Sequence, residues 1–226
     1  MYKRKRPNRP KRMRKRRFRR RVGPSTVVSS TSPLPDRFFT KLKYASLSTM
    51  TTGAGVVAHL FNLGNLYDPD RTGGGHQPFG RDQFASLYNK YRVYGCKYVV
   101  TFHNPSSAYT CDVACVLKPV TNASTDMQTV YEKPYTQFRT LGMNGAATSK
   151  AVVKGYCNNA KILGVTRARY NSDDIYSATA GMAPDVEPYL HIYIRERAGT
   201  GGLVIGVSVQ LTYYCAWYER VPLTSS

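Results

Sequence analysis

The run Val207-Ser208-Val209-Gln210-Leu211-Thr212-Tyr213-Tyr214-Cys215-Ala216-Trp217 sets Val207, Val209, Leu211, Tyr213, Cys215 and Trp217 at every second position. Successive strand side chains point to opposite faces, so this segment carries one continuous apolar face as a strand and none as a helix. Whether residues 203–206 begin this strand or form a separate short one stays open at the level of sequence. The same period recurs upstream. From Arg92 to Asn104, Tyr94, Cys96, Tyr98, Val100 and Phe102 share one face, and Lys97, Thr101 and His103 share the other. Tyr109, Cys111, Val113, Cys115 and Leu117 repeat it against Thr110 and Asp112. The intervening Asn104-Pro105-Ser106-Ser107 reads as a hairpin turn, which predicts that these two strands pair.

Phe38, Leu42 and Tyr44 alternate with Lys41 and Lys43, and further strands are predicted at about 55–63, 148–157 and 189–197. In the last of these, Leu190, Ile192 and Ile194 oppose His191, Arg195 and Arg197. Phe84, Leu87, Tyr88 and Tyr91 recur at three- and four-residue spacing, which predicts one helix over 80–91. Irregular connections are expected at roughly 64–79, 120–147 and 158–187. Seven or eight strands with long loops and little helix specify an all-β, antiparallel two-sheet sandwich. The jelly roll is the commonest form of that size. Tyr98, Val100, Val113, Leu117, Leu211 and Trp217 are its predicted core.

Charge divides the chain. The formal net charge is +20, and 14 of the 33 Lys and Arg fall in residues 1–21, which contain no acid. They are Lys3, Arg4, Lys5, Arg6, Arg9, Lys11, Arg12, Arg14, Lys15, Arg16, Arg17, Arg19, Arg20 and Arg21. The remainder holds 19 bases against 13 acids, a net +6. So dense a block of like charge repels itself and buries no apolar surface, so it is expected to be disordered until a polyanion screens it. Flexible cations follow a phosphate backbone without reading sequence, and the predominance of Arg favours phosphate contacts. An import signal needs only about five to eight basic residues, so nuclear import is a second use of the arm rather than its whole purpose. Phe18 is a candidate for stacking on a base, an alternative to an idle ring in the arm.

Residues 22–35, VGPSTVVSSTSPLP, have ten Gly, Pro, Ser or Thr in fourteen positions and read as a flexible linker. The expected organisation is an arginine-rich nucleic-acid-binding arm over 1–21, the linker over 22–35 and a jelly-roll domain over 36–226. A composition 42% hydrophobic and 12% aromatic supplies one sizeable core for that domain. Lys41 and Lys43, close behind the arm, either extend the nucleic-acid-binding surface or form a solvated strand face.

The remaining chemistry-bearing residues point away from an enzyme. No apolar segment follows the N-terminal charges and no run approaches the roughly 18 residues of a membrane span, so a soluble, cytosolically made chain without membrane insertion is expected. The sequon Asn122-Ala123-Ser124 should then stay unmodified. Cys96, Cys111, Cys115, Cys157 and Cys215 are odd in number and widely spaced, which argues for reduced thiols rather than a disulfide framework. Cys111 and Cys115 share a strand face but lie roughly 13 Å apart at about 3.3 Å per residue, too far for one zinc. His59, His76, His103 and His191 show no paired spacing. Asp68, Asp70 and Gly73-Gly74-Gly75 suit either a divalent-cation loop or, more economically, a turn. Gly199, Gly201 and Gly202 precede a strand and read as a hairpin turn rather than a phosphate loop. No nucleophile, base and orienter assemble, and no cofactor is implied.

Gly75-His76-Gln77-Pro78-Phe79-Gly80-Arg81-Asp82-Gln83, continuing into Leu87-Tyr88-Asn89-Lys90-Tyr91-Arg92-Val93, follows the Arg-rich terminus and the Ser/Pro linker. In this combination the chain resembles circovirus-like capsid proteins of viruses with circular single-stranded DNA genomes, closely over about 67–104 and in layout throughout. The resemblance implies a single jelly roll, a homo-oligomer of sixty copies in a small icosahedral shell, an interior-facing arm that packages the single-stranded DNA genome, and recognition by host nuclear import receptors. The implied locations are the virion and the host nucleus. No loop matches a known receptor site, so the cell-surface attachment factor is unassigned. Sixty arms of 14 charges amount to 840 positive charges, enough for most of a strand of about a thousand nucleotides. Two rivals explain less. A cellular nucleic-acid-binding protein with a basic tail accounts for the arm but not the two-faced strands, and a carbohydrate-binding jelly roll accounts for the strands but not the arm.

Overall fold

The structure, a computed structural model, describes residues 34–198 and 201–222. The predicted arm and all but the end of the predicted linker lie outside the described residues, as does Gly199. Nine strands follow among the described residues: β1 (Arg37–Thr51), β2 (Val57–Asn62), β3 (Tyr88–His103), β4 (Cys111–Lys118), β5 (Thr136–Leu141), β6 (Lys150–Asn158), the two-residue β7 (Ala178–Thr179), β8 (Tyr189–Glu196) and β9 (Val204–Arg220). Short helices α1 (Arg81–Ala85), α2 (Met127–Glu132), α3 (Asn159–Ile162) and α4 (Arg167–Ser172) sit in the connections.

The first sheet runs β1-β9-β3-β6, with β7 added beside β3, and the second runs β2-β8-β4-β5. Every pairing is antiparallel. Setting β7 aside, strands mate from the chain ends inward: β1 with β9, β2 with β8, β3 with β6, β4 with β5. This is the antiparallel ribbon rolled into two four-stranded sheets that defines a jelly roll. Between the sheets, the alternating faces of β9, β3 and β1 meet those of β4 and β8 in one core. Tyr98, Val100, Val113, Leu211 and Trp217 are each at most 1% exposed there and Leu117 is 6% exposed, as predicted. Trp217 anchors one end, with its ring 5.4 Å from Tyr91 and 5.9 Å from Phe84.

Several local expectations are corrected. β3 and β4 do not form a hairpin: β3 pairs with β9, β6 and β7, β4 with β5 and β8, and Asn104-Pro105-Ser106-Ser107 carries the chain from one sheet to the other. Asn104 holds that crossing, its side-chain amide donating to the carbonyls of Tyr109 and Gly142 at 2.8 and 2.9 Å. The turn at Gly201 and Gly202 likewise does not join paired strands, because β8 and β9 belong to different sheets. The helix over 80–91 ends at Ala85, and Tyr88 and Tyr91 enter β3, where Tyr91 lies opposite Trp217. Residues 203–206 start no separate strand, since β9 begins at Val204 and runs unbroken to Arg220.

Tyr94 leaves the face it was assigned to. Val93 opposes Cys215 while Gly95 opposes Tyr214, so one residue of β3 is extra and both Val93 and Cys96 point into the core. Such a bulge resets the two-residue period, and Tyr94 is turned to pack beside Tyr170. The connection at 120–147 also contains more than loop, namely α2 and the edge strand β5.

Candidate nucleic-acid interface

The two sheets treat their outer faces differently. Over the second sheet, α2 lays Met127 and Val130 on Ala114, Val116 and Tyr193, so β4 and β8 are buried on both sides. Asp126 starts that helix by accepting from the Thr129 amide at 2.9 Å. Among the described residues no helix of that kind covers the outer positions of β1 and β6, which alternate between buried and exposed over much of their length.

That open face is basic. β1, β3, β6 and β9 together contain nine Lys or Arg, and their single acid, Glu219, sits at the end of β9 ion-paired to Lys90 at 2.9 Å. β2, β4, β5 and β8 contain three bases and two acids. Register places the exposed cations in rungs. Lys43 stands opposite Thr212, which stands opposite Lys97, which in turn stands opposite Tyr156. The next rungs run Ala45, Gln210, Val99, Lys154 and, further along, Thr49, Gly206, His103, Lys150. Strands are about 4.8 Å apart, so a rung of four spans roughly 14 Å, a surface broad enough for several nucleotides of a strand.

Both lysines singled out from the sequence lie here. Lys41 is exposed with its ammonium 5.3 Å from the centre of the Tyr214 ring, a cation–π contact that holds it over the sheet. Lys43 is exposed one rung away. Lys97, Lys150 and Lys154 were not assigned this role, yet they belong to the same face. Lys150 and Lys154 do share a parity within β6, but nothing local ties β6 to β1, from which two intervening strands separate it. Aromatic rings join the cations: Tyr156 is 54% exposed and meets Tyr214 edge-on at 5.8 Å, and Phe39 is 64% exposed. A surface that combines cations, exposed rings and no carboxylate suits single-stranded nucleic acid, whose bases stack and whose phosphates need countercharge. The fourteen arm residues assigned to the same task lie outside the described residues.

The other candidates resolve into packing. All five cysteines are buried, and burial pushes the thiols of Cys111, Cys157 and Cys215 up to about 12, so they stay protonated and unreactive. Asp70 is engaged in turn chemistry: its Oδ1 accepts from the Thr72 amide and hydroxyl at 3.0 and 2.8 Å and contacts His59 Nε2 at 2.9 Å. His191 is buried, its Nε2 donating to the Val120 carbonyl at 2.8 Å, and burial lowers its pKa to about 4. Among the described residues no helix is long and apolar enough to cross a membrane.

No protein-family model matches the chain, and no curated protein matches its sequence. Among solved structures, tobacco necrosis virus is similar at 13% identity and a TM-score of 0.48, over 84% of this chain and 85% of that one. The semi-empty VLP of giant freshwater prawn Macrobrachium rosenbergii nodavirus is similar at 10% identity and a TM-score of 0.47, over 86% and 100%. Decameric BFDV capsid protein is similar at 9% identity and a TM-score of 0.44, over 80% and 99%.

Proposed function

We propose that this chain is the capsid protein of a small single-stranded DNA virus, self-assembling into a closed shell and packaging its genome against two basic surfaces. One surface is the arm over 1–21 and the other is the acid-free outer face of the first sheet. The reading is carried by that face, an uncovered jelly-roll sheet with exposed Lys41, Lys43, Lys97, Lys150 and Lys154 and no acid among its outward rungs. A rigid sandwich supplies the shape-complementary surfaces of roughly 800 Å² per partner that stable association needs. The role is structural rather than catalytic, with about sixty copies per shell, an interior-facing arm, and a second use of the arm in recognition by nuclear import receptors of the host. Negative-stain microscopy of purified protein tests it. Uniform closed particles are expected; a preparation that stays monomeric at high concentration, with and without single-stranded DNA, overturns the capsid reading in favour of a basic-tailed cellular binding protein.

A further inference from the structure

A recess of about 510 Å³ opens where the 73–80 loop overhangs the first sheet, within the range of small-ligand pockets. Lys43, Lys97, Gln210, Thr212, Tyr214 and Phe79 contribute to its lining, which contains no carboxylate. Phe79 is 91% exposed. Its place is set by its neighbours rather than by apolar contacts of its own. The Phe79 amide donates to the Lys43 carbonyl at 3.1 Å, tying the loop to the free edge of β1. His76 stacks on Tyr44 at 4.8 Å. Gly75 admits no side chain, because a Cβ there would lie 2.7 Å from the Tyr44 hydroxyl and 2.9 Å from the Asp70 Cβ. Arg81 is buried, donating to Gln77 Oε1 at 3.2 Å and Asp82 Oδ1 at 2.8 Å, with its guanidinium 5.3 Å from the Tyr67 ring centre.

We infer that this recess is a nucleotide subsite, in which Phe79 stacks one unpaired base and Lys43 and Lys97 hold the adjoining phosphate of single-stranded nucleic acid. The inference rests on the packaging function proposed above and assigns it a fixed contact. An acidic peptide would use the lysines and leave the ring idle, and an apolar ligand would use the ring and leave two cations without a partner. A nucleotide uses both. The Gln210 amide and Thr212 hydroxyl on the floor offer donors and acceptors to a base edge. A duplex keeps its bases stacked against each other, so an unpaired strand is required.

The test uses the full chain, a 20-nucleotide strand bearing photoreactive 5-bromodeoxyuridine, and an abasic strand of the same length and charge. Irradiation should crosslink the peptide that carries Phe79. Phe79→Ala should remove that crosslink and weaken binding of the base-bearing strand by about 5- to 150-fold, the span of one base–aromatic stack, while binding of the abasic strand is unchanged. Phe79→Trp should restore both, and Phe138→Ala, an exposed ring on the second sheet, should change neither. Crosslinks confined to the arm, together with wild-type binding by Phe79→Ala, overturn the subsite and leave the packaging proposal standing. Failure of the unaltered chain to bind either strand overturns both.

Discussion

The outer faces of the two sheets are built from the same alternating strands and end in opposite states. The second sheet is roofed by α2, so Ala114, Val116 and Tyr193 are buried on the side away from the main core. Asp112 on β4 is paired locally: Arg197, just past β8, reaches it with its Nε 3.1 and 3.0 Å from the two carboxylate oxygens. Among the described residues the first sheet has no such roof, and its five outward lysines face no carboxylate along the sheet. A protein gains nothing in stability from collecting unpaired like charges on one face, since their mutual repulsion opposes folding. The asymmetry leaves the first face with unpaired positive charge, the condition under which the proposed packaging role would use it, and closes the second against the protein itself.

The largest test of that contrast removes the arm and leaves the face. Deleting residues 1–21 should lower single-stranded DNA affinity by more than about a hundredfold at moderate salt, while shells still form, empty or poorly filled. The log affinity against log salt should flatten from a steep line to a residual slope of roughly −3.5, as expected for about five lysines at −0.7 each. A truncated protein with unchanged affinity and slope would falsify the packaging role of the arm. A residual slope near zero would break the claim for the sheet.

The next effect concerns stability. Met127→Ala strips the roof of the second sheet and should cost about 2–5 kcal/mol in urea unfolding, as for other buried Met-to-Ala changes. Leu47→Ala, on the bare face and 85% exposed, should change stability by less than about 0.5 kcal/mol. Equal costs would mean that the two faces are not differently covered.

How much of this could be read beforehand follows from where the information lies. Alternation is local, so β9, β6 and β8 and the core positions Val100 and Trp217 were legible. Pairing is not local. In a jelly roll the short connections after β1, β3 and β8 cross between sheets, so a turn signal such as Asn104-Pro105-Ser106-Ser107 marks a crossing and looks like a hairpin. The helix read over 80–91 lost Tyr88 and Tyr91 to β3 because partners on β9, residues 217–220, claim that backbone. β5 was missed because five of its six residues are exposed or half-buried, with little apolar pattern before Leu141. Lys41 and Lys43 were found through their nearness to the arm, whereas Lys150 and Lys154 join the face only through β3 and β9.

A smaller effect depends on pH and is carried by two buried groups at the second sheet, Glu187 and His191. Glu187, which precedes β8 and accepts from the Gly64 amide at 3.2 Å, is buried, and burial raises its pKa from 4.5 to about 8. Between those values the unfolded chain has released a proton that the folded chain keeps, so stability falls as pH rises from about 4.5 to 8. His191 acts in the other direction. With its pKa lowered from 6.5 to about 4, it is neutral when folded and charged when unfolded in that interval, so stability falls as pH drops from 6.5 towards 4. Between about pH 4.5 and 6.5 the two slopes oppose and largely cancel, so thermal unfolding should show a net loss of stability above about pH 6.5, on the order of a few kcal/mol at most. Glu187→Gln should abolish that loss; a variant that loses as much stability as wild type between pH 6 and 8 removes Glu187 as its cause.

The smallest effect is the most direct comparison of the faces, because it changes equal charge on each. Lys150→Gln with Lys154→Gln takes two cations from the first sheet, and Arg139→Gln with Arg195→Gln takes two exposed cations from the second. Net charge falls by two in both double variants, so any difference between them reports position and not bulk electrostatics. If a strand lies along the first sheet, each lost lysine removes one neutralised phosphate, worth about 0.7 in the salt slope and roughly three- to fourfold in affinity near 0.15 M salt. The lysine pair should therefore weaken binding of a 20-nucleotide strand about tenfold and flatten the slope by about 1.4, and the arginine pair should leave both within about twofold of wild type. The loss should be the same for strands of different sequence, since lysines on an open sheet contact phosphates and not base edges. Equal losses from the two pairs would mean that the nucleic acid responds only to total charge, and the acid-free sheet would then be a solubilising surface with no role in holding the genome.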